Sequence, residues 1–165
     1  MQITKAEVIP LELNLRQPVR MSGITQIDSI YAVFVRLEIQ DGRSAWGCGI
    51  AHPDLTNQQP KDVLEACCHA ADRAPDLHPL DIEYSLSQLT PILQDTPAAL
   101  CAFDLAFYDL LGLAAGMPLH RLLGGYRNKI QTSVTVPLGS VAEGVEIAKM
   151  RASQGFRMLK IKGGL

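Results

Sequence analysis

Apolar and polar residues alternate through "SIYAVFVRLEIQDG", residues 29–42: Tyr31, Val33, Val35, Leu37 and Ile39 fall on one side, Arg36 and Glu38 on the other. A period of two predicts a half-buried β-strand. Asp41-Gly42 is a hairpin turn signal, and "RSAWGCGI" (43–50) reads as the strand that returns. "ITKAEVIPLEL" (3–13) reads as a strand before them. The chain is therefore expected to open with an antiparallel three-stranded meander. The segments "VRMSGITQID" (19–28) and "AHPDLTNQQP" (51–60) are expected to be loops.

Helical spacing takes over after Pro60, a residue suited to a first helical turn. Val63, Cys67, Ala70 and Ala71 then line one side. Ile82, Leu86, Leu89 and Leu93 recur at helical intervals over 81–93, where Pro91 should bend or shorten the end. The segment 96–116 is the strongest helix: Thr96 as its cap, Pro97 in the first turn, Gly116 placed to end it. "MPLHRLLGG" adds a short turn.

Near residue 130 the pattern changes. "IQTSVTVPL" (130–138) reads as a strand. "SVAEGVEIAKMRASQG" (140–155) reads as a helix, with a Ser140–Glu143 capping box and a buried stripe of Val141, Val145, Ala148 and Ala152. Gly155 closes it, and "FRMLKIK" reads as another strand. Strand, helix, strand implies a parallel pair joined by a right-handed crossover. A domain boundary is expected near residues 124–129.

Composition narrows the classes. The 165 residues are 47% hydrophobic and 19% charged, with a net charge of −2, which fits a globular domain and offers no basic patch for nucleic acid. No run approaches the roughly 20 apolar residues of a spanning helix, so no membrane association is expected. Cys48, Cys67, Cys68 and Cys101 form no C-x-x-C pair and read as small apolar residues of a reducing, cytoplasmic protein. His69, His78 and His120 share no ligand spacing, and no metal ligands are expected. Asp104 and Asp109 are expected to be structural, paired across a domain interface. Tyr31, Phe34, Trp46, Phe103, Phe107 and Tyr108 are expected in the core. Gly47-Cys48-Gly49 lacks the third glycine and following helix of a dinucleotide cradle.

The last segment carries the chemistry. In a strand Lys160 and Lys162 share a face, with Ile161 on the other. If that face lines a barrel near the strand's C-terminal end, it lies where such folds keep their active sites. Two amines crowded in a water-poor site disfavour the doubly charged state, and a neutral lysine can serve as a general base. The alternative is an edge strand with two solvated lysines. K-x-K alone does not decide between them.

Context adds weight. "FDLAFYDLLG", "PLHRLLGG" and "GFRMLKIK", in this order behind a meander and helices, resemble the enolase superfamily, specifically its muconate-lactonizing-enzyme subgroup, across the whole chain. In the mandelate-racemase type the second lysine position is histidine. The resemblance implies an α+β capping domain over residues 1–126. It implies that 127–165 begin a (β/α) barrel of TIM type. By position, Lys162 would abstract or return the proton alpha to a carboxylate, Lys160 would assist, and Mg²⁺ would stabilise the enediolate. Thr135 would touch substrate, a small carboxylate. The two loops would close over the site, which offers Arg20, Met21, Ile24, Ile50 and His52 as substrate contacts.

"GFRMLKIK" looks closest to racemases and epimerases of dipeptides or N-acylamino acids. A muconate-type cycloisomerase and a succinylbenzoate synthase use the same lysine pair. Two features depart from the family. Where relatives carry a glutamate after the third strand, this chain reads "WGCGIAH". And 130–165 supplies 36 residues of barrel, against roughly 250 for a complete one. The family's acidic metal ligands and opposite lysine belong to later strands. The chain is therefore expected to be an N-terminal fragment, inactive alone, with Mg²⁺ bound only by the full-length parent. An open edge beyond Lys162 points to self-association as a homo-oligomer. A truncated, non-catalytic association module is the reading from a different class.

Overall fold

The structure is a computed structural model; it describes residues 1–21 and 24–163, and their side chains other than those of 21, 24 and 25. The elements are β1 (Ile3–Met21), β2 (Ile24–Ile39), β3 (Ser44–Ala51), α1 (Pro53–Thr56), α2 (Pro60–Arg73), α3 (Ile82–Leu93), α4 (Pro97–Ala115), α5 (Leu119–Leu122), β4 (Val134–Val136), α6 (Val141–Ser153) and β5 (Leu159–Ile161). They form two compact units: Met1–Leu13 with Ile30–Gly125, and Asn14–Ser29 with Tyr126–Leu165.

The first unit is an α+β layer built on a sheet of order β1-β2-β3. β2 and β3 run antiparallel with Val35 opposite Gly47 and Val33 opposite Gly49. The period of two holds: Val33, Val35, Leu37 and Ile39 are buried, and so are Ala45 and Ala51 from β3. Gly42 takes the turn at φ +82°, a left-handed conformation that glycine adopts without a Cβ penalty.

α4 lies against β3. Its buried residues, Ala98, Ala99, Ala102, Phe103, Ala106, Phe107 and Leu110, recur at three- and four-residue steps and make one wide apolar stripe. Gly47 and Gly49 allow the close approach. A Cβ on Gly47 would sit 1.8 Å from the Ala102 carbonyl oxygen, and one on Gly49 2.0 Å from that of Ala98. Contrary to the expectation that no segment has spanning dimensions, α4 is long and apolar enough to cross a membrane. Its buried stripe explains that composition as a core helix of this unit.

Of the expected loop 19–28, residues 19–21 end β1 and 24–28 begin β2, so its described residues are strand. Most side chains of 11–20 are exposed, and a strand without a buried face shows no alternation. Residues 51–60 contain the short helix α1. Thr96 stands at the α4 N-cap, but its hydroxyl donates to Leu93 O at 3.3 Å. The capping acceptor is Gln58, whose Oε1 takes the Ala98 N–H at 2.9 Å. Replacing Gln58 with alanine is expected to cost about 1 kcal/mol, the usual value of a lost cap, read as a lower urea midpoint at unchanged slope. α3 runs through Pro91 to Leu93: the proline forgoes the N–H that would donate to the Ser87 carbonyl, and the helix ends two residues later.

Trp46 is not core: it is 46% exposed. It belongs to the outer sheet face, with the Arg36 guanidinium 5.9 Å from its ring centroid. Arg36 also donates to Glu7 at 2.7 Å, Glu38 at 2.9 Å and the Ser44 hydroxyl. Lys5 and Arg36 hold the Glu7 carboxyl below the usual carboxylate range. Asp109 is structural, but not across an interface: its Oδ2 accepts the Trp46 N–H at 2.9 Å within this unit. Burial, then the Glu83 carboxylate, raises Asp104. The cysteines are free. Burial, with smaller effects from Cys68 and Cys48, pushes the Cys67 thiol up to about 12.

In the second unit β4 and β5 are parallel, with Val134 opposite Leu159, Thr135 opposite Lys160 and Val136 opposite Ile161. Both strands are shorter than 130–138 and 156–162, because each has one partner and pairs only over this stretch. α6 has its capping box: Glu143 N donates to Ser140 Oγ at 3.3 Å, and Glu143 Oε2 accepts from Ser140 N at 2.9 Å. The expected buried stripe is instead open, with Val141 86% and Val145 45% exposed. The two-stranded sheet is narrow, and these residues, with Val136 and Ile161, line a cleft of about 320 Å³.

Candidate functional site

The lysine pair follows from strand geometry. Thr135 and Lys160 are register partners, so their side chains leave the same face, and Lys162 follows directly after the end of β5. The Lys162 N–H donates to Val136 O at 3.0 Å, which continues the parallel ladder past Ile161 and fixes the backbone beneath the second lysine. Thr135, Lys160 and Lys162 line one cleft of about 320 Å³ together with Gln17, Pro18 and Arg151. Lys160 is exposed and Lys162 half-buried.

The lining of this cleft holds three cationic side chains and no carboxylate. Such a surface attracts an anion and repels a cation. Arg151 and Gln17 carry no pattern that would have singled them out: Arg151 sits on α6, and its place depends on how that helix rests. Its Nη1 donates to Gln154 Oε1 at 3.1 Å, and its Nε is buried without a partner.

The other expected contacts are dispersed. Arg20 lines a second cleft of the same unit, with Gln26, Pro137 and Glu143. The side chains of Met21 and Ile24 lie outside the described residues. Ile50 is half-buried at the end of β3. His52 is the N-cap of α1, its Nδ1 accepting the Asp54 N–H at 3.2 Å. Ile50 and His52 belong to the first unit, the lysines to the second. Among the described residues no three His, Cys, Asp or Glu side chains come together to hold a metal ion. The described residues therefore do not fit a Mg²⁺ site.

A meander with helices, followed by a parallel strand–helix–strand, defines the class: an α+β capping domain leading into a β/α barrel. The chain belongs to the family described as mandelate racemase / muconate lactonizing enzyme, N-terminal domain, which matches residues 3–124. It is similar to an L-Lys-D/L-Arg epimerase of Desulforapulum autotrophicum, 34% identical over 168 residues, covering 100% of this chain and 47% of that protein. A hydrophobic dipeptide epimerase of Enterococcus faecalis is 29% identical over 164 residues, covering 99% of this chain and 46% of the relative. Among solved structures, a dipeptide epimerase from Enterococcus faecalis complexed with Mg and the dipeptide L-Leu-L-Tyr superposes with a TM-score of 0.94 at 29% identity, over 100% of this chain and 46% of that one. The chain thus spans about half the length of the curated relatives it matches.

Proposed function

We propose that the protein to which this chain belongs is a racemase or epimerase that removes and returns the proton alpha to a carboxylate of dipeptides or N-acylamino acids. The observation that carries this reading is the grouping of Thr135, Lys160 and Lys162 around a cleft whose charged lining is wholly basic. The substrate's carboxylate is drawn to that lining by charge. Lys162 is assigned the proton transfer, Lys160 the electrostatic support, and Thr135 a contact to substrate. Met21, Ile24, Ile50 and His52 are further candidate contacts. The epimerase relatives support the choice of dipeptides.

The same reading takes 1–126 as the capping domain and 127–165 as the barrel's start. Mg²⁺ would be held by residues outside the described ones, and the assembled protein would be a homo-oligomer of the cytoplasm. The 165-residue chain alone is taken as inactive.

The test uses the protein extended to the length of its relatives, incubated in D₂O with Mg²⁺ and a panel of L,L-dipeptides and N-acylamino acids. Loss of one alpha-proton NMR signal with growth of a diastereomer or enantiomer is the expected result. No exchange with any of them, alongside lactonisation of a muconate, would replace this reading by the cycloisomerase one.

A further inference from the structure

The segment that follows β3 leaves from and returns to one residue of α4. Where it leaves, Gly49 is packed so closely on Ala98 that a Cβ there would stand 2.0 Å from the Ala98 carbonyl oxygen. Where it returns, the half-buried Gln58 accepts the Ala98 N–H with its Oε1 at 2.9 Å. Residues 50–57, with Ile50 and His52 among them, hang between these two attachments, all within the first unit.

Between the attachments the loop closes on itself. The Asp54 N–H donates to His52 Nδ1 at 3.2 Å, the His52 N–H donates to Thr56 Oγ1 at 3.1 Å, and the Thr56 hydroxyl donates to His52 O at 3.0 Å. The Leu55 and Thr56 N–H groups donate to His52 O, and that of Asn57 to Pro53 O. Asn57 turns the chain back at φ 53°, in the left-handed region that asparagine tolerates. These bonds give the loop its shape, but they do not fix where that shape stands. α1 is four residues long with none buried, and a single helical turn does not hold on its own. Its place depends on the two ends, because fixing both ends of a short segment limits what its middle can visit.

We infer that Gln58 is a positioning residue, whose bond to Ala98 sets the stance of residues 50–57 and so presents Ile50 and His52. It rests on the epimerase reading in taking those two residues as substrate contacts. Gln58 then has two tasks, capping α4 and tethering the loop.

Hydrogen exchange of the 165-residue chain reads the tether without substrate. Gln58→Ala removes the acceptor; Gln58→Glu keeps one, at a helix start that favours a carboxylate. Gly42→Ala is the control, because its added Cβ meets open space and it weakens the domain through the left-handed backbone alone. In Gln58→Ala, amides 52 and 54–57 are expected to exchange about fivefold faster than in the control, the equivalent of one lost cap. Gln58→Glu should recover most of the protection. In the protein at the length of its relatives, Gln58→Ala should raise KM for a dipeptide about two- to fivefold with kcat within about twofold, because a displaced loop lowers the fraction of molecules ready to bind. Gly42→Ala should move neither. Faster exchange confined to amides 98–100 overturns the inference, since Gln58 would then cap α4 and nothing more. So does a loosened loop with an unmoved KM. A parent protein that exchanges no alpha proton of any dipeptide or N-acylamino acid strikes the epimerase reading instead, and the tether then stands or falls by the amide exchange.

Discussion

Gly47→Ala is expected to lower the thermal midpoint of the chain by about 10 °C. The added Cβ would lie 1.8 Å from Ala102 O and 2.8 Å from Ala106 N, both backbone atoms of α4. No rotamer change relieves a clash with backbone, so α4 must draw back from β3. That movement loosens Phe103, Phe107 and Leu110, which are fully buried. Overpacking a core costs about 1–3 kcal/mol, more where backbone must move. Each kcal/mol is worth several degrees at this chain length. Gly42→Ala is the comparison: its φ of +82° meets open space, so the cost is only that of the left-handed backbone, about 1 kcal/mol. Scanning calorimetry of the two variants decides. Equal midpoints would mean that α4 and β3 are not in such close contact.

Lys162→Ala is expected to slow alpha-proton exchange by about 10²–10⁴-fold in the protein at the length of its relatives, the usual contribution of a positioned base. Exchange from one face of the substrate should suffer, because a single base reaches a single face. Lys162 is half-buried and Lys160 exposed, so the thermal midpoint should barely move, which separates lost chemistry from lost fold. Lys160→Ala should cost less, as befits a supporting charge. Deuterium incorporation followed by NMR gives both rates. Exchange within about tenfold of the parent in Lys162→Ala would remove the base assignment.

What could be read from the sequence was what burial writes into it. Val33, Val35, Leu37 and Ile39 alternate because one face of β2 meets the core. Ser140 and Glu143 announce a helix start because a capping box is local, and Gly116, at φ +62°, ends α4 because few residues adopt that conformation. Thr135, Lys160 and Lys162 could be grouped by the same period of two. Features set by distant partners left no such mark. Of 14–20 and 26–28 only Ile27 is buried, too little to write a period of two. The Gln58 cap joins residues 40 positions apart. Trp46 looked like core by type, yet lies on the outer face because β3 puts Ala45 and Gly47 inward. The place of Arg151 depends on how α6 rests, which no local pattern encodes.

The bond from Asp109 to the Trp46 N–H has a consequence for handling the protein at high concentration. β3 is the outer strand of its sheet, and a bare outer strand is a template on which another molecule can add in cross-β fashion. Here one of its donors is already taken by a side chain of α4, and a negative charge sits at the rim. Neutralising that aspartate would open the margin to fibril-type stacking while leaving the interior of the domain untouched.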